Sequence, residues 1–440
     1  MKKLLIFLEK NISIVVIVYF LFQLLLVFFW KEPFKSDSQY YFNLAQESIS
    51  SHSFYPAKMH LYEDYITAPL YVNLLVVILS IYNSNVTIGL LNIILNLLQL
   101  FFVYKISKNL FGERSARISV LLYILYLNTL GMVLMNLTEF LFGTLILAGV
   151  YYFYKKRRIS DILAGLLAAA SIAVKPMGGA LAAAFLISIV FSKVETKIKI
   201  QRAAIITLSC ALFILAYGEF TQSYFGKFIY TATSGPVNII NGANDDATGA
   251  YNTAVFDKGK LGYIPEAKQK TYIEKETIWK QKAEGWILSH PLKWIGLLPA
   301  KFGFMFLVDD FAITNLLHVD NWYLTKVIKE VIIERHFSFF GGRSFYFIIF
   351  YFLVQILNYI YYFSLVIILL IGLRKKKIRV FFSEKFLPAT LFIILGLAMT
   401  AAAYGSARYR YPYMMFFFIA VPPFVIELLN NKKLKDLIDK

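Results

Sequence analysis

The chain has 440 residues, of which 58% are hydrophobic, 17% aromatic and only 16% charged, with a mean hydropathy of +0.61. Soluble domains carry about 25% charged residues and lack repeated apolar runs near 20 residues long, so a soluble globular protein is excluded. The formal charge of +18 does not imply a nucleic-acid partner, because the basic residues fall in short clusters between apolar runs, as membrane orientation requires.

The first predicted span, residues 11–30, is too long for a cleaved signal core and ends in the aromatic "FFW". Further spans are predicted at 86–104, 118–135, 138–154, 160–176, 178–192, 203–221, 345–373, 386–404 and 411–428. Six basic clusters separate them: Lys2, Lys3 and Lys10; Lys105 to Arg117; Lys155 to Arg158; Lys193 to Arg202; Arg374 to Lys377; and Lys432, Lys433 and Lys435. Placing all six on the cytoplasmic side gives about ten crossings with both termini inside. Two stretches do not fit that count. Residues 68–82 are short for a crossing and read as a partial or tilted helix, and 291–308 carries Lys293 and Lys301 and reads as a helix at the outer interface. The expected fold class is thus an all-α polytopic bundle of about 10–12 transmembrane helices with outer loops and interfacial helices. It divides into a module over 1–220 with a first outer loop at 31–67, an extracytoplasmic segment over 221–344, and C-terminal helices over 345–440. The single Cys210 permits no intrachain disulfide.

This topology gathers the polar chemistry on one face. In "FKSDSQYYFNLAQ", Asp37 suits a helix N-terminus, as cap or first-turn anion, and also suits a general base at the water boundary. Tyr40 and Tyr41 follow it. Glu63 and Asp64 in "LYEDYITAPLY" point in different directions, and the pair suits either a solvated turn or a divalent-metal site. Glu139 in "VLMNLTEFLFG" is the only charge in a long apolar neighbourhood, where an ionisable group is costly and marks a site. Lys175 in "SIAVKPMGG" ends an apolar helix and is read as a phosphate contact. The Gly/Asn/Asp-rich "NGANDDATGAYN" reads as a loop over the membrane face. Residues 265–304 read as amphipathic helix, with Trp279, Trp286 and Trp294 suited to an interface. In "GSARYRYPYM", Arg408 and Arg410 lie against the positive-inside rule and suit an anion such as phosphate. Tyr409 beside them can stack on a sugar.

In that order these elements resemble the membrane-embedded GT-C glycosyltransferases. The likeness is to the bacterial family-39-type branch, similar to protein O-mannosyltransferases and the aminoarabinose transferase of lipid A. The resemblance rests on "SDSQYYFNLAQ", "EDYITAPLY", "KNLFGERSAR", "NLTEFLF", "AVKPMGG", "NGANDDATGAYN", "WILSHPLKWIGLLPAKF" and "ARYRYPYM", and covers nearly the whole chain. It implies transfer of a sugar from a polyprenyl-phosphate donor to a glycan, lipid or protein acceptor on the outer face of an inner (plasma) membrane. Asp37 and Glu139 match the family's acids, and Arg408 and Arg410 its C-terminal Arg-Tyr-Arg turn. A divalent metal stays open. The chain departs from that family in lacking a large C-terminal soluble domain. The competing classes are a polysaccharide polymerase, which would use a lipid-diphosphate glycan, and a lipid-linked sugar transporter, whose polar residues would sit near the midplane.

Overall fold

The structure is a computed structural model that describes residues 2–29, 32–319, 322–372, 374 and 381–430. The expected belt residue Trp30, the loop start at Lys31, the basic residues Lys375–Lys377 and the tail lysines Lys432, Lys433 and Lys435 lie outside the described residues. Among the described residues the regular structure is helical, and the one β-type pairing is the isolated bridge between Ala250 and Gly405.

Among the described residues, five helices are long and apolar enough to cross a membrane: Ile12–Phe29, Asn85–Phe111, Thr196–Phe225, Phe345–Gly372 and the broken Ala407–Asn430. Shorter apolar helices fill the bundle at Pro69–Ile81, Glu139–Phe153, Pro176–Phe191 and Leu387–Ala402. Helix is the only open-ended element that satisfies every backbone N–H and C=O in hydrocarbon, so apolar runs of this length have little alternative. Prolines fall at helix starts, where a missing N–H costs nothing, as at Pro69, Pro388 and Pro412. Gly226, at φ 73°, supplies the left-handed residue that ends Thr196–Phe225.

The core is built around Glu139–Phe153, which packs on Asn85–Phe111 and Arg158–Val174, with Tyr411–Ala420 across it. A buried amide and tyrosine network threads these helices. Asn96 donates to the Tyr19 hydroxyl at 3.1 Å, Tyr123 to Gln99 Oε1 at 2.8 Å, and Gln99 Nε2 to the Phe140 carbonyl at 2.8 Å. Each interhelical bond in lipid contributes only about 0.6 kcal/mol, so the network serves register more than stability. Its last link ends one residue past Glu139.

Three expectations need correction. The span over 118–135 is two helices, Glu113–Ile124 and Leu127–Val133, bent by 59°. Side chains satisfy carbonyls at the bend: the Tyr361 hydroxyl donates to the Leu122 oxygen, and Thr129 Oγ1 donates to the Tyr126 oxygen at 2.7 Å. The helix expected over 265–304 begins only at Tyr272, behind a Thr271–Glu274 capping box. It stops before Pro291 and continues as Pro291–Gly296 and Leu298–Phe306. Trp279 and Trp286 do not face an interface. Both are buried against the preceding loops, where Trp279 donates to the Gly262 carbonyl at 2.8 Å and Trp286 to Asp245 at 3.2 Å. The stretch at 69–81 is a short helix with one buried face, as its length suggested.

Candidate active site

Four charged side chains converge at one end of the bundle. Asp37 lies in the first turn of Ser36–Ser50, an amphipathic helix whose N-terminus favours an anion. None of Ser36, Asp37 and Ser38 acts as a side-chain cap, and Lys35 holds the cap position. Ser36 itself takes φ 51°, a left-handed conformation uncommon outside glycine, immediately before the acid. Ser38 ties this helix to the turn before Glu139: its Oγ accepts from the Asn136 N–H at 3.2 Å, and its carbonyl accepts from Asn136 Nδ2 at 2.9 Å. The Tyr71 hydroxyl donates to the same Asn136 at 2.7 Å. Two acids 102 positions apart in sequence are thereby held in one frame.

Glu139 opens its helix and is fully buried. A lone carboxylate there would be prohibitively costly, and two cations answer it. Lys175 Nζ, just past the end of Arg158–Val174, donates to Glu139 Oε1 at 2.8 Å, and Arg408 Nε donates to the same oxygen. Arg408 also donates through Nη1 to Asp37. The result is an alternating row, Asp37–Arg408–Glu139–Lys175, with no net charge. Guanidinium carries five N–H donors, and among the described residues Nη2 of Arg408 has no acceptor. The Asp37–Arg408 edge faces a cavity of ≈ 160 Å³, walled on its far side by Phe311, Asn315 and Tyr323.

The structure separates the two arginines. Arg410, expected at a phosphate beside Arg408, points into the bundle. It is 1% exposed, pairs with Asp309, donates to the Met305 carbonyl at 2.9 Å and lies 4.4 Å from the centre of the Tyr362 ring. Asp309 receives further bonds from Tyr126 at 2.8 Å, Asn128 at 3.1 Å and Asn358 at 3.0 Å. This is a buried structural ion pair that sequence reasoning missed; its visible signal was the adjacent acids in the apolar "FMFLVDDFAIT".

Tyr40, Tyr41 and Tyr409 do not line the cavity beside Asp37 and Arg408; each packs against another tyrosine. Tyr40 and Tyr41 lie 5.8 Å apart, Tyr41 meets Tyr71 edge-on at 5.4 Å, and Tyr409 donates to the Tyr404 hydroxyl at 2.6 Å. The 241–252 loop reaches this end too. Gly405 N–H donates to the Gly249 carbonyl at 2.7 Å, and Tyr251 packs on Tyr404 at 5.1 Å. Gly405 lies so close to the Lys301 carbonyl that a Cβ would overlap it, which explains a glycine three residues before Arg408. Lys301 is itself buried, donating to the Ala401 carbonyl at 3.0 Å.

Glu63 and Asp64 do not form a metal cage. Asp64 turns to buried Lys275 at 3.0 Å, while Glu63 faces Glu47 and His60, its carboxyl pushed above the usual range by burial. Between Asp37 and Glu139 the bridging position belongs to the Arg408 guanidinium, so these two acids do not fit a divalent cation either. Among the described residues, the one group of three potential ligands is Glu330, Glu334 and His336, on the surface and away from the cluster.

The arrangement of helices is similar to that of solved archaeal oligosaccharyltransferase structures. The archaeal oligosaccharyltransferase AglB from Archaeoglobus fulgidus, in complex with an inhibitory peptide and a dolichol-phosphate, matches with a TM-score of 0.52 at 12% identity, over 98% of this chain and 52% of that one. The apo form of the Archaeoglobus fulgidus oligosaccharyltransferase matches with a TM-score of 0.51 at 12% identity, over 97% and 51%. The chain therefore spans about half the length of these structures, and at such identity the likeness is one of fold. No family model matches the sequence, and no curated protein does.

Proposed function

We propose that the chain is a membrane glycosyltransferase that moves a sugar from a polyprenyl-phosphate carrier to a hydroxyl-bearing glycan, lipid or protein acceptor. The observation that carries this reading is the row Asp37–Arg408–Glu139–Lys175 at the mouth of a cavity, at one end of a lipid-spanning bundle. The fold neighbour in complex with a dolichol-phosphate supports a lipid phosphate as ligand. The cationic turns at the other end of the same helices, Lys155 to Arg158 and Lys193 to Arg202, favour a cytoplasmic location for that end and an extracytoplasmic one for the cluster.

In this mechanism the acceptor hydroxyl attacks the anomeric carbon. Its proton passes to Asp37, the new C–O bond forms, and the sugar–phosphate C–O bond breaks with its electron pair leaving on phosphate. Direct displacement inverts the anomeric configuration. Arg408 receives the growing phosphate charge through its open Nη2, with Lys175 behind it, the type of stabilisation that dominates such transfers. Glu139, locked by two cations, is a positioning residue that aims the guanidinium, rather than a proton carrier. An incoming phosphate competes with Asp37 for Arg408, so donor binding frees the carboxylate to act as base. Arg410 takes no part in the chemistry and holds the turn. Tyr41 and Tyr409 stand beside Arg408 and offer rings to the sugar.

The test is reconstitution of the purified chain in liposomes with a defined polyprenyl-phosphate sugar and candidate acceptors, followed by mass spectrometry. One sugar added per acceptor supports the proposal. Chain growth from a lipid diphosphate would favour the polymerase, and movement of intact donor without bond formation the transporter.

A further inference from the structure

A second cavity, of ≈ 380 Å³, lies at the opposite end of the bundle. It opens beyond Phe153, the end of the helix that Glu139 begins, so the two sites are about 22 Å apart along 15 residues of helix. That volume falls within the range of about 300–1,000 Å³ typical of ligand pockets. Its lining carries five cations, Lys155, Lys156, Arg157, Arg202 and Lys385, against one acid, Glu384.

Membrane topology accounts for the sign of the charge, since Lys155, Lys156, Arg157 and Lys385 are exposed, but not for its gathering around a cavity. Positive-inside lysines ordinarily face water from a solvated loop, or serve the free carbonyls of a helix end. Here those carbonyls are already served: Arg202 Nη2 donates to the Phe153 carbonyl at 3.0 Å and Lys199 Nζ to Val190 at 2.9 Å. Arg202 is buried and paired with Asp161, and Lys156 with Glu384 at 2.6 Å. Lys155, Arg157 and Lys385 have no carboxylate partner among the described residues. Lys155 instead lies 4.7 Å over the Tyr151 ring. A second observation points the same way. The Tyr154 hydroxyl, in the cavity wall, is buried and has no hydrogen-bond partner, an expense that a bound oxygen would remove. Ser188 and Ser192 add hydroxyls, and Leu110 and Phe153 add an apolar floor.

We propose that this cavity is an anion site for a phosphate ester, held by Lys155, Arg157 and Lys385 with the Tyr154 hydroxyl donating to a phosphate oxygen. Arginine and lysine in excess over carboxylates, beside a hydroxyl donor, match phosphate chemistry. The ester can reach the cavity from two sources, the headgroup of an anionic phospholipid in the adjoining leaflet or a soluble phosphate ester. The inference is independent of the activity assigned to the Arg408 end.

The experiment is thermal unfolding of the full chain in detergent, followed by tryptophan fluorescence. It is titrated with inorganic phosphate, with short-chain phosphatidylglycerol and with phosphatidylcholine at constant ionic strength. A saturable rise in Tm with phosphate identifies a soluble ester; a rise with phosphatidylglycerol alone identifies a lipid headgroup. Both support the site. The Lys155→Gln/Arg157→Gln/Lys385→Gln variant is expected to weaken apparent affinity roughly tenfold or more, and Tyr154→Phe to weaken it less. Arg408→Gln is expected to retain the rise. No saturable rise in either anionic arm, an equal rise with phosphatidylcholine, an unchanged midpoint in the triple variant, or loss of the rise in Arg408→Gln would each overturn the proposal.

Discussion

Arg408 donates to Asp37 across 371 positions of sequence, and through its other edge to the buried Glu139. One guanidinium thus joins the starts of Ser36–Ser50 and Glu139–Phe153 to the turn Ala407–Arg410. Removing one partner of a buried pair leaves the other unpaired, which costs about 3–5 kcal/mol. Arg408→Gln is expected at the lower end of that range, because Lys175 remains on Glu139. The Glu139→Gln/Arg408→Gln double variant is expected to recover part of the loss. A double-mutant cycle by thermal unfolding checks this; effects that simply add would mean the two groups do not share an interaction.

The Arg410–Asp309 pair gives the opposite signature. Arg410→Gln leaves Asp309 buried with three neutral donors, so stability is expected to fall by about 3 kcal/mol or more, while donor affinity in the protein that still folds stays within about twofold of wild type. Arg408→Gln is expected to weaken donor affinity by tenfold or more. Binding isotherms for a polyprenyl-phosphate sugar distinguish the two arginines, and a comparable affinity loss in both would return Arg410 to the site.

Lys301 yields a pH dependence. Burial pulls its amine down to about 8 from the usual value near 10.5. Between those values the unfolded chain binds the proton and the folded chain does not, so stability rises with pH across that window. Below about pH 8 the folded protein carries the full cost of a buried ammonium. Lys301→Met is expected to flatten the rise between pH 8 and 10.5. The comparison of Tm against pH for the two proteins decides it, and parallel curves would mean that Lys301 titrates normally.

The 241–252 loop reaches the site over a glycine seam, in which Gly405 admits the Lys301 carbonyl and Gly242 the Ala403 carbonyl. Gly405→Ala is expected to destabilise the chain by about 1–3 kcal/mol and to lower donor affinity through displacement of the Arg408 turn. Unchanged unfolding and affinity would show that the seam tolerates a side chain.

Much of this was legible in the sequence, because charge is costly in an apolar chain. Glu139 and Lys175 stood out as lone charges in apolar runs, Asp37 as an acid at a helix start on the water boundary, and Arg408 by lying against the positive-inside rule; the structure brings all four together. The helices over 139–153 and 345–372 followed from apolar length. What escaped was direction. Arg408 and Arg410 share the short 3₁₀ turn Ala407–Arg410, where three residues complete a turn, so residues two apart point about 120° from each other and cannot share a ligand. Asp309, the partner of Arg410, was invisible as such because nothing local links positions 101 apart. The 59° break near Leu125 has no proline or glycine to announce it; its carbonyls are served by Thr129 and by Tyr361, which reaches it from Phe345–Gly372.

Asp37 as the base for sugar transfer is the claim on which the account rests. Its most direct test is single-turnover release of polyprenyl phosphate from a defined polyprenyl-phosphate sugar, in the presence of acceptor, by wild type and by Asp37→Asn. A positioned general base contributes about 10²–10⁴-fold. Asp37→Asn is expected to bind donor at least as tightly as wild type, since Arg408 is released to the phosphate, yet to release product slower by about that factor. Turnover by Asp37→Asn at the wild-type rate would contradict the account.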